Sequence, residues 1–170
     1  MIPAIIDIEA SGFGRYSYPI EVGVVMPDSA RHCYLIQPQD DWTFWDETAA
    51  AVHGIPRQLL LDQGQQVGQV GRLLNKLLAG ATVYTDAWSY DTSWLGKLFD
   101  AADLPQLFRL ESLRILLSEE QAARWHPTKE AVMQETQLER HRASADARIL
   151  QETWKRICLP AASVDVAAVN

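Results

Sequence analysis

The stretch Ile5–Ile6–Asp7–Ile8–Glu9–Ala10–Ser11–Gly12 decides how the rest of the chain is read. It is apolar, β-branched and followed by a glycine turn, which predicts a strand. Side chains alternate along a strand, so Asp7 and Glu9 share one face while Ile6 and Ile8 share the other. Two carboxylates this close in an apolar strand repel one another and lose hydration. A divalent cation between them removes both costs, because hard cations such as Mg²⁺ and Mn²⁺ take oxygen ligands. An edge strand with an acidic polar face gives the same pattern, so other segments have to decide.

Composition narrows the choice. With 170 residues, 48% of them hydrophobic and 22% charged, the chain suits one globular domain with a real core, taken as residues 1–158. Residues 159–170 are small and aperiodic and are expected to form a loose tail. A net charge of −7 argues against a protein that coats duplex nucleic acid, which would carry a basic surface. It leaves room for an enzyme that meets a nucleic-acid end at a metal site. Cys33 and Cys158 are the only cysteines and lack metal-type spacing, which suits a reducing compartment. Asp7 and Glu9 interrupt any leader-like apolar run, and no stretch reaches membrane-spanning length, so a cytoplasmic protein is expected.

Working outward, Pro19–Met26 and His32–Ile36 read as second and third strands, joined by short turns into an antiparallel meander. Residues 39–56 read as irregular and aromatic-rich. Val67, Val70, Leu73, Leu74, Leu77 and Leu78 recur at helical spacing over Gln66–Ala79, with Gly80 as the stop. Ala81–Thr85 reads as a short buried strand, followed by a helix starting near Asp91 with Trp94, Leu95, Leu98 and Phe99 inward. Leu107–Leu110 is read as a strand and Leu113–Ala123 as a helix. Trp125–Pro127 reads as a break, a short helix follows to Thr136, and a last helix covers Ala143–Ile157. This order predicts an α/β layered fold whose mixed sheet is antiparallel first and parallel later.

Two more acids fall where helix periodicity demands apolar residues. Asp91 precedes Leu95 and Leu98 by four and seven positions, and Asp146 precedes Leu150 and Thr153 by the same steps. Either one alone could be an N-terminal helix acid favoured by the helix dipole. Four carboxylates converging on one place need cations, and two divalent ions would balance them. His141, five residues before Asp146 and outside the helix, is placed to act as a general base on water.

Three separated blocks carry a resemblance. Asp7–Ile8–Glu9–Ala10–Ser11–Gly12, Thr85–Asp86–Ala87–Trp88–Ser89–Tyr90–Asp91–Thr92–Ser93–Trp94–Leu95, and His141–Arg142–Ala143–Ser144–Ala145–Asp146–Ala147 resemble the three motifs of the DnaQ-like (DEDDh) 3′–5′ exonucleases. That family has an RNase H-like three-layer fold. The His53–Gly54–Ile55 triplet resembles a segment that lies beside the substrate in the same family. The resemblance covers roughly residues 4–157. It implies two-metal phosphodiester hydrolysis at single-stranded DNA or RNA 3′ ends, releasing nucleoside 5′-monophosphates. Asp7, Glu9, Asp91 and Asp146 would hold two Mg²⁺ or Mn²⁺ ions, and His141 would serve as the base. Ser11, Gly12, Phe13, His53 and Ile55 would meet the substrate, with Phe13 and Ile55 against the terminal bases. A homodimer is a further expectation from related free-standing exonucleases. Two departures stand out. Ala10 replaces the family's first threonine, and the second block carries one extra residue, which makes Asp86 a rival to Asp91. Asp91 is preferred because it opens the helix in register with Leu95. The competing reading is a nuclease-fold module that binds nucleic acid with weakened or lost chemistry.

Overall fold

The computed structural model describes residues 1–138 and 141–159. Its centre is the predicted first strand, β1 (Ala4–Ala10), followed on one side by β2 (Pro19–Val25) and, beyond it, β3 (Arg31–Leu35). Short connections make β1–β2 and β2–β3 antiparallel. Helices α1 (Glu47–His53), α2 (Arg57–Gln63) and α3 (Val67–Leu78) follow. After α3 the chain crosses to β4 (Thr82–Thr85), which pairs parallel to the other side of β1. Helix α4 (Trp88–Ala101) leads to β5 (Arg109–Ser112), parallel to β4. The sheet order is β3-β2-β1-β4-β5, antiparallel first and parallel later, as the sequence predicts.

The alternation of β1 and β2 sorts their side chains onto two faces. Ile6, Ile8, Val22 and Val24 pack with Val70, Leu74, Leu95 and Leu98 of α3 and α4. On the opposite face, Ile5 and Val25 pack with Ala147, Leu150, Trp154 and Ile157 of the last helix, α7 (Ala143–Cys158). Asp7, Glu9, Glu21 and Gly23 belong to this second face, at the end of the sheet where α7 begins. In the β1–β2 register Asp7 is opposite Gly23 and Glu9 is opposite Glu21.

Several expectations are corrected. Residues 39–56 are not wholly irregular: Asp46 caps α1 by accepting the N–H groups of Thr48 and Ala49 at 2.8 and 3.3 Å. Gly54 closes the same helix in the left-handed conformation, at φ 65°. Helix α4 starts at Trp88, three residues before Asp91, which places Asp91 in its first turn. The strand expected at Leu107–Leu110 forms two residues later. Residues 113–123 are split into a 3₁₀ turn (Leu113–Leu116) and α5 (Glu119–Ala123), separated by the Ser118 capping box. Trp125–Pro127 does not break the chain but opens α6 (Trp125–Thr136). Proline is tolerated there because first-turn N–H groups have no helical acceptor. Among the described residues no helix is long and apolar enough to cross a membrane. The expected tail from residue 160 onward lies outside the described residues.

Candidate active site

Three segments bring four acidic groups to one cleft. β1 presents Asp7 and Glu9, the first turn of α4 presents Asp91, and the first turn of α7 presents Asp146. The cleft encloses about 300 Å³. The position of Asp91 follows from local chemistry. Only Asp86 and Ala87 separate β4 from α4, and the fully buried Thr85 ties the turn together. Its hydroxyl donates to Asp91 Oδ2, and its Oγ1 accepts the Ala87 N–H at 3.1 Å. Asp86 turns away from the cleft: Lys129 Nζ donates to its Oδ2 at 2.8 Å, and it lines a different cavity with Trp125 and His126.

His141 precedes α7 in a left-handed conformation, at φ 60°, which is uncommon for a residue with a side chain. Its N–H donates to Asp146 Oδ2 at 2.9 Å, tying the loop to the helix. Ligand atoms of Glu9, His141 and Asp146 lie within 4.8 Å of one another, a spacing that one cation can bridge.

The electrostatics of the cleft suit a cation. Burial pushes Asp7 well above the usual carboxylate range, and the charges of Asp91, Glu9 and Asp146 push it further. Glu9 is raised to about 7 by burial first, then by Asp146, Glu21 and Asp91, with Arg142 pulling the other way. Asp91 is raised to about 7, chiefly by burial, against the lowering hydrogen bond from Thr85. Oxygen donors that repel one another in a buried cleft suit a hard divalent ion.

A pH dependence follows. A carboxylic acid whose folded pKa is raised contributes no penalty at pH values where both states are protonated. As pH rises the unfolded chain ionises first, so the folded state loses ground until its own groups ionise. Without divalent cations, thermal stability is therefore expected to fall between about pH 4.5 and pH 7, the ordinary and folded values for Glu9. Melting curves in EDTA across pH 4.5–8 check this. A flat or rising profile through that window would contradict the electrostatic account, and added Mn²⁺ at pH 8 should restore what was lost.

The remaining expected contacts divide. Gly12, Phe13 and His53 line the cleft. At Gly12 a Cβ would lie 2.7 Å from Asp46 Cβ and 2.8 Å from a Phe44 ring carbon, so only glycine lets this loop close on α1. Ser11 is fully buried, and its hydroxyl accepts the Tyr18 N–H at 3.1 Å, so it braces the loop from behind. Ile55 is 2% exposed and borders a separate cavity with Trp45 and Arg57. The substrate contacts expected of Ser11 and Ile55 are thus off the cleft.

Sequence reasoning singled out Phe13 but missed the rest of the aromatic wall it belongs to. Phe13 stands edge-on to Tyr90 with centroids 5.3 Å apart, and Tyr90 stacks on Trp94 at 5.7 Å. Phe13 and Tyr90 are 66% and 50% exposed, whereas Trp94 is buried, its Nε1 donating to Ser17 Oγ at 2.9 Å. The available signal was Tyr90 one turn before Trp94, beside the acid already singled out. His53 adds a polar group. Its Nδ1 accepts the Ile55 N–H at 3.0 Å, so the neutral ring carries its proton on Nε2, which is buried with no hydrogen-bond partner among the described residues. Burial also holds this imidazole below its usual pKa.

No family model and no curated protein matches the sequence. Solved structures do match. Escherichia coli exonuclease I in complex with a dA16 oligonucleotide aligns with a TM-score of 0.68 at 13% identity, over 90% of this chain and 40% of that one. Exonuclease I from Methylocaldum szegediense aligns with a TM-score of 0.67 at 13% identity over the same shares of the two chains. A zinc-bound E. coli exonuclease I–ssDNA complex gives 0.68 at 14% identity, over 92% and 41%. At these identities the likeness is one of fold. The RNase H-like architecture expected from the sequence is the architecture found, and this chain spans about two-fifths of the length of those proteins.

Proposed function

We propose that the chain is a metal-dependent 3′–5′ exonuclease acting on single-stranded DNA or RNA and releasing nucleoside 5′-monophosphates. The observation that carries this reading is the convergence of Asp7, Glu9, Asp91, Asp146 and His141 on one cleft, walled by exposed aromatic rings, in a fold shared with exonuclease I. Asp7, Glu9, Asp91 and Asp146 would hold two Mg²⁺ or Mn²⁺ ions. Bound there, such ions would make water more acidic and neutralise charge developing on the phosphate.

The chain's own groups do the rest. His141 takes a proton from the attacking water as its oxygen bonds to phosphorus and the P–O3′ bond breaks. Phe13 and Tyr90 stack on the terminal bases, a contact that tolerates any sequence. His53 Nε2–H, which has no partner among the described residues, donates to an oxygen of the terminal nucleotide. The cleft volume lies at the low end for small-ligand sites and suits one nucleotide at a time.

Degradation of a 5′-labelled single strand, as DNA and as RNA, with Mg²⁺, Mn²⁺ or EDTA tests this. The expected result is a metal-dependent ladder that shortens from the 3′ end. Binding without cleavage of either polymer, by folded protein with metal present, would favour the module that binds without chemistry and turn attention to Ala10. Within this assay Asp91→Asn should lose activity by about a thousandfold, as expected when charge stabilisation of several kcal/mol is removed. Asp86→Asn should stay within about threefold of wild type, because its partner is the partly exposed Lys129. The reverse ranking would reassign the second acidic position.

A further inference from the structure

β2 carries one acid in an otherwise apolar, wholly buried run. Glu21 is 0% exposed and faces α7, directly opposite Glu9 in the β1–β2 register. Like charges at directly opposed strand positions are destabilising. Glu21 is instead held by the loop that begins α7. Arg142 Nη2 donates to its Oε1 at 2.6 Å, and Arg142 Nε lies 3.1 and 3.2 Å from its two oxygens. The Ala143 N–H donates to Oε2 at 2.8 Å. No side chain of its own caps the first turn of α7, so a carboxylate from 122 residues earlier in the chain fills that role. Arg142 adjoins His141, and Asp146 lies in the turn that Ala143 opens.

We propose that Glu21 is a positioning residue: with Arg142 it clamps the start of α7 to the sheet so that His141 and Asp146 are held against Glu9. The clamp joins the two segments whose ligand atoms must meet, and one fork-shaped pairing fixes both distance and orientation. Read through activity, this rests on the exonuclease reading. Read through backbone protection, it does not.

The test compares wild type with Glu21→Gln, Arg142→Met and the double variant, each at a temperature where circular dichroism shows it folded. Arg142→Met should lose much thermal stability, because it strands a buried carboxylate beside Glu9. The double variant should regain most of that stability. Its kcat should nevertheless stay about 10–100-fold below wild type, the usual loss when a supporting partner of a site is removed, with KM within about threefold. Amide hydrogen exchange over residues 141–147 should quicken at least tenfold in Glu21→Gln relative to the rest of α7. Recovery of kcat together with stability in the double variant would make the pair merely structural and overturn the proposal. So would unchanged exchange over 141–147. If wild type cleaves nothing, the exonuclease reading fails, and the exchange result alone decides on the clamp.

Discussion

Asp7→Asn is expected to abolish metal-dependent cleavage while making the metal-free protein more stable. Asp7 sits at the centre of the charge cluster, raised by burial and then by Asp91, Glu9 and Asp146. Replacing it with a neutral residue of nearly the same shape removes a desolvated charge and its repulsion by the neighbouring acids. In EDTA at pH 7–8 the variant should therefore melt higher than wild type, by on the order of 2–4 °C if the relief is about 1 kcal/mol. It should also show a shallower fall in stability between about pH 4.5 and pH 7. With Mg²⁺ or Mn²⁺ the order reverses, because wild type gains stability from ligand binding and the variant has lost a ligand. Activity should drop by about a thousandfold or more, the loss that goes with several kcal/mol of transition-state charge stabilisation. Parallel melting curves and oligonucleotide digests make the check. A variant that keeps both its metal-induced stabilisation and its cleavage would remove Asp7 from the metal centre. A variant that loses activity and also melts lower in EDTA would show Asp7 to be structural instead.

The cost of burying charge is what made the acids legible in the sequence at all. Asp7, Glu9, Asp91 and Asp146 break strand and helix periodicity at positions whose neighbours are buried, and folding alone gives no reason for such breaks. The mixed sheet was legible for a related reason: short connections force antiparallel strands, and intervening helices allow parallel ones. What escaped was set by contacts distant in sequence or by caps. Helix α1 has seven residues and little periodicity, and it is fixed by Asp46 at one end and Gly54 at the other. Trp125–Pro127 looked like a break because a proline two residues into a helix gives the same signal as one that ends it. Ile55 and Ser11 lie in motif-like positions, yet their side chains turn inward, and a motif does not encode that direction. Glu21 was the available clue left unused. An acid inside Pro19–Val25, a run buried throughout, needs a partner as much as Asp7 does. Its partner lies in a block more than a hundred residues away.

Gly23→Ala should severely damage the fold, although it lies outside the acidic cluster. Gly23 pairs with Asp7 across the β1–β2 ladder and faces the start of α7. A Cβ there would lie 2.1 Å from Ser144 N, 2.2 Å from Ala143 C and 2.5 Å from Ala143 O. These are backbone atoms, held by the Glu21 carboxylate on one side and by helix hydrogen bonds on the other, so no side-chain rotation relieves the overlap. Either α7 lifts from the sheet or β2 bows away from it. Both responses cost packing around Ile5, Val25, Ala147 and Leu150, and overpacking of this kind costs about 3 kcal/mol or more. The same displacement moves Asp146 and His141 relative to Glu9. A shift of about 1 Å in a reacting constellation costs on the order of a hundredfold in rate, even in molecules that remain folded. Gly23→Ala should thus lower the melting temperature by roughly 6–12 °C, at about 2–4 °C per kcal/mol. It should also reduce kcat in the surviving folded fraction and weaken Mn²⁺ binding. Gly96→Ala, in α4 with open space around its Cα, is the matched control and should be neutral or slightly stabilising. Equal, small effects of the two substitutions would mean that α7 does not approach β2 as closely as its backbone contacts require. The convergence of Asp146 and His141 on Glu9 depends on that approach.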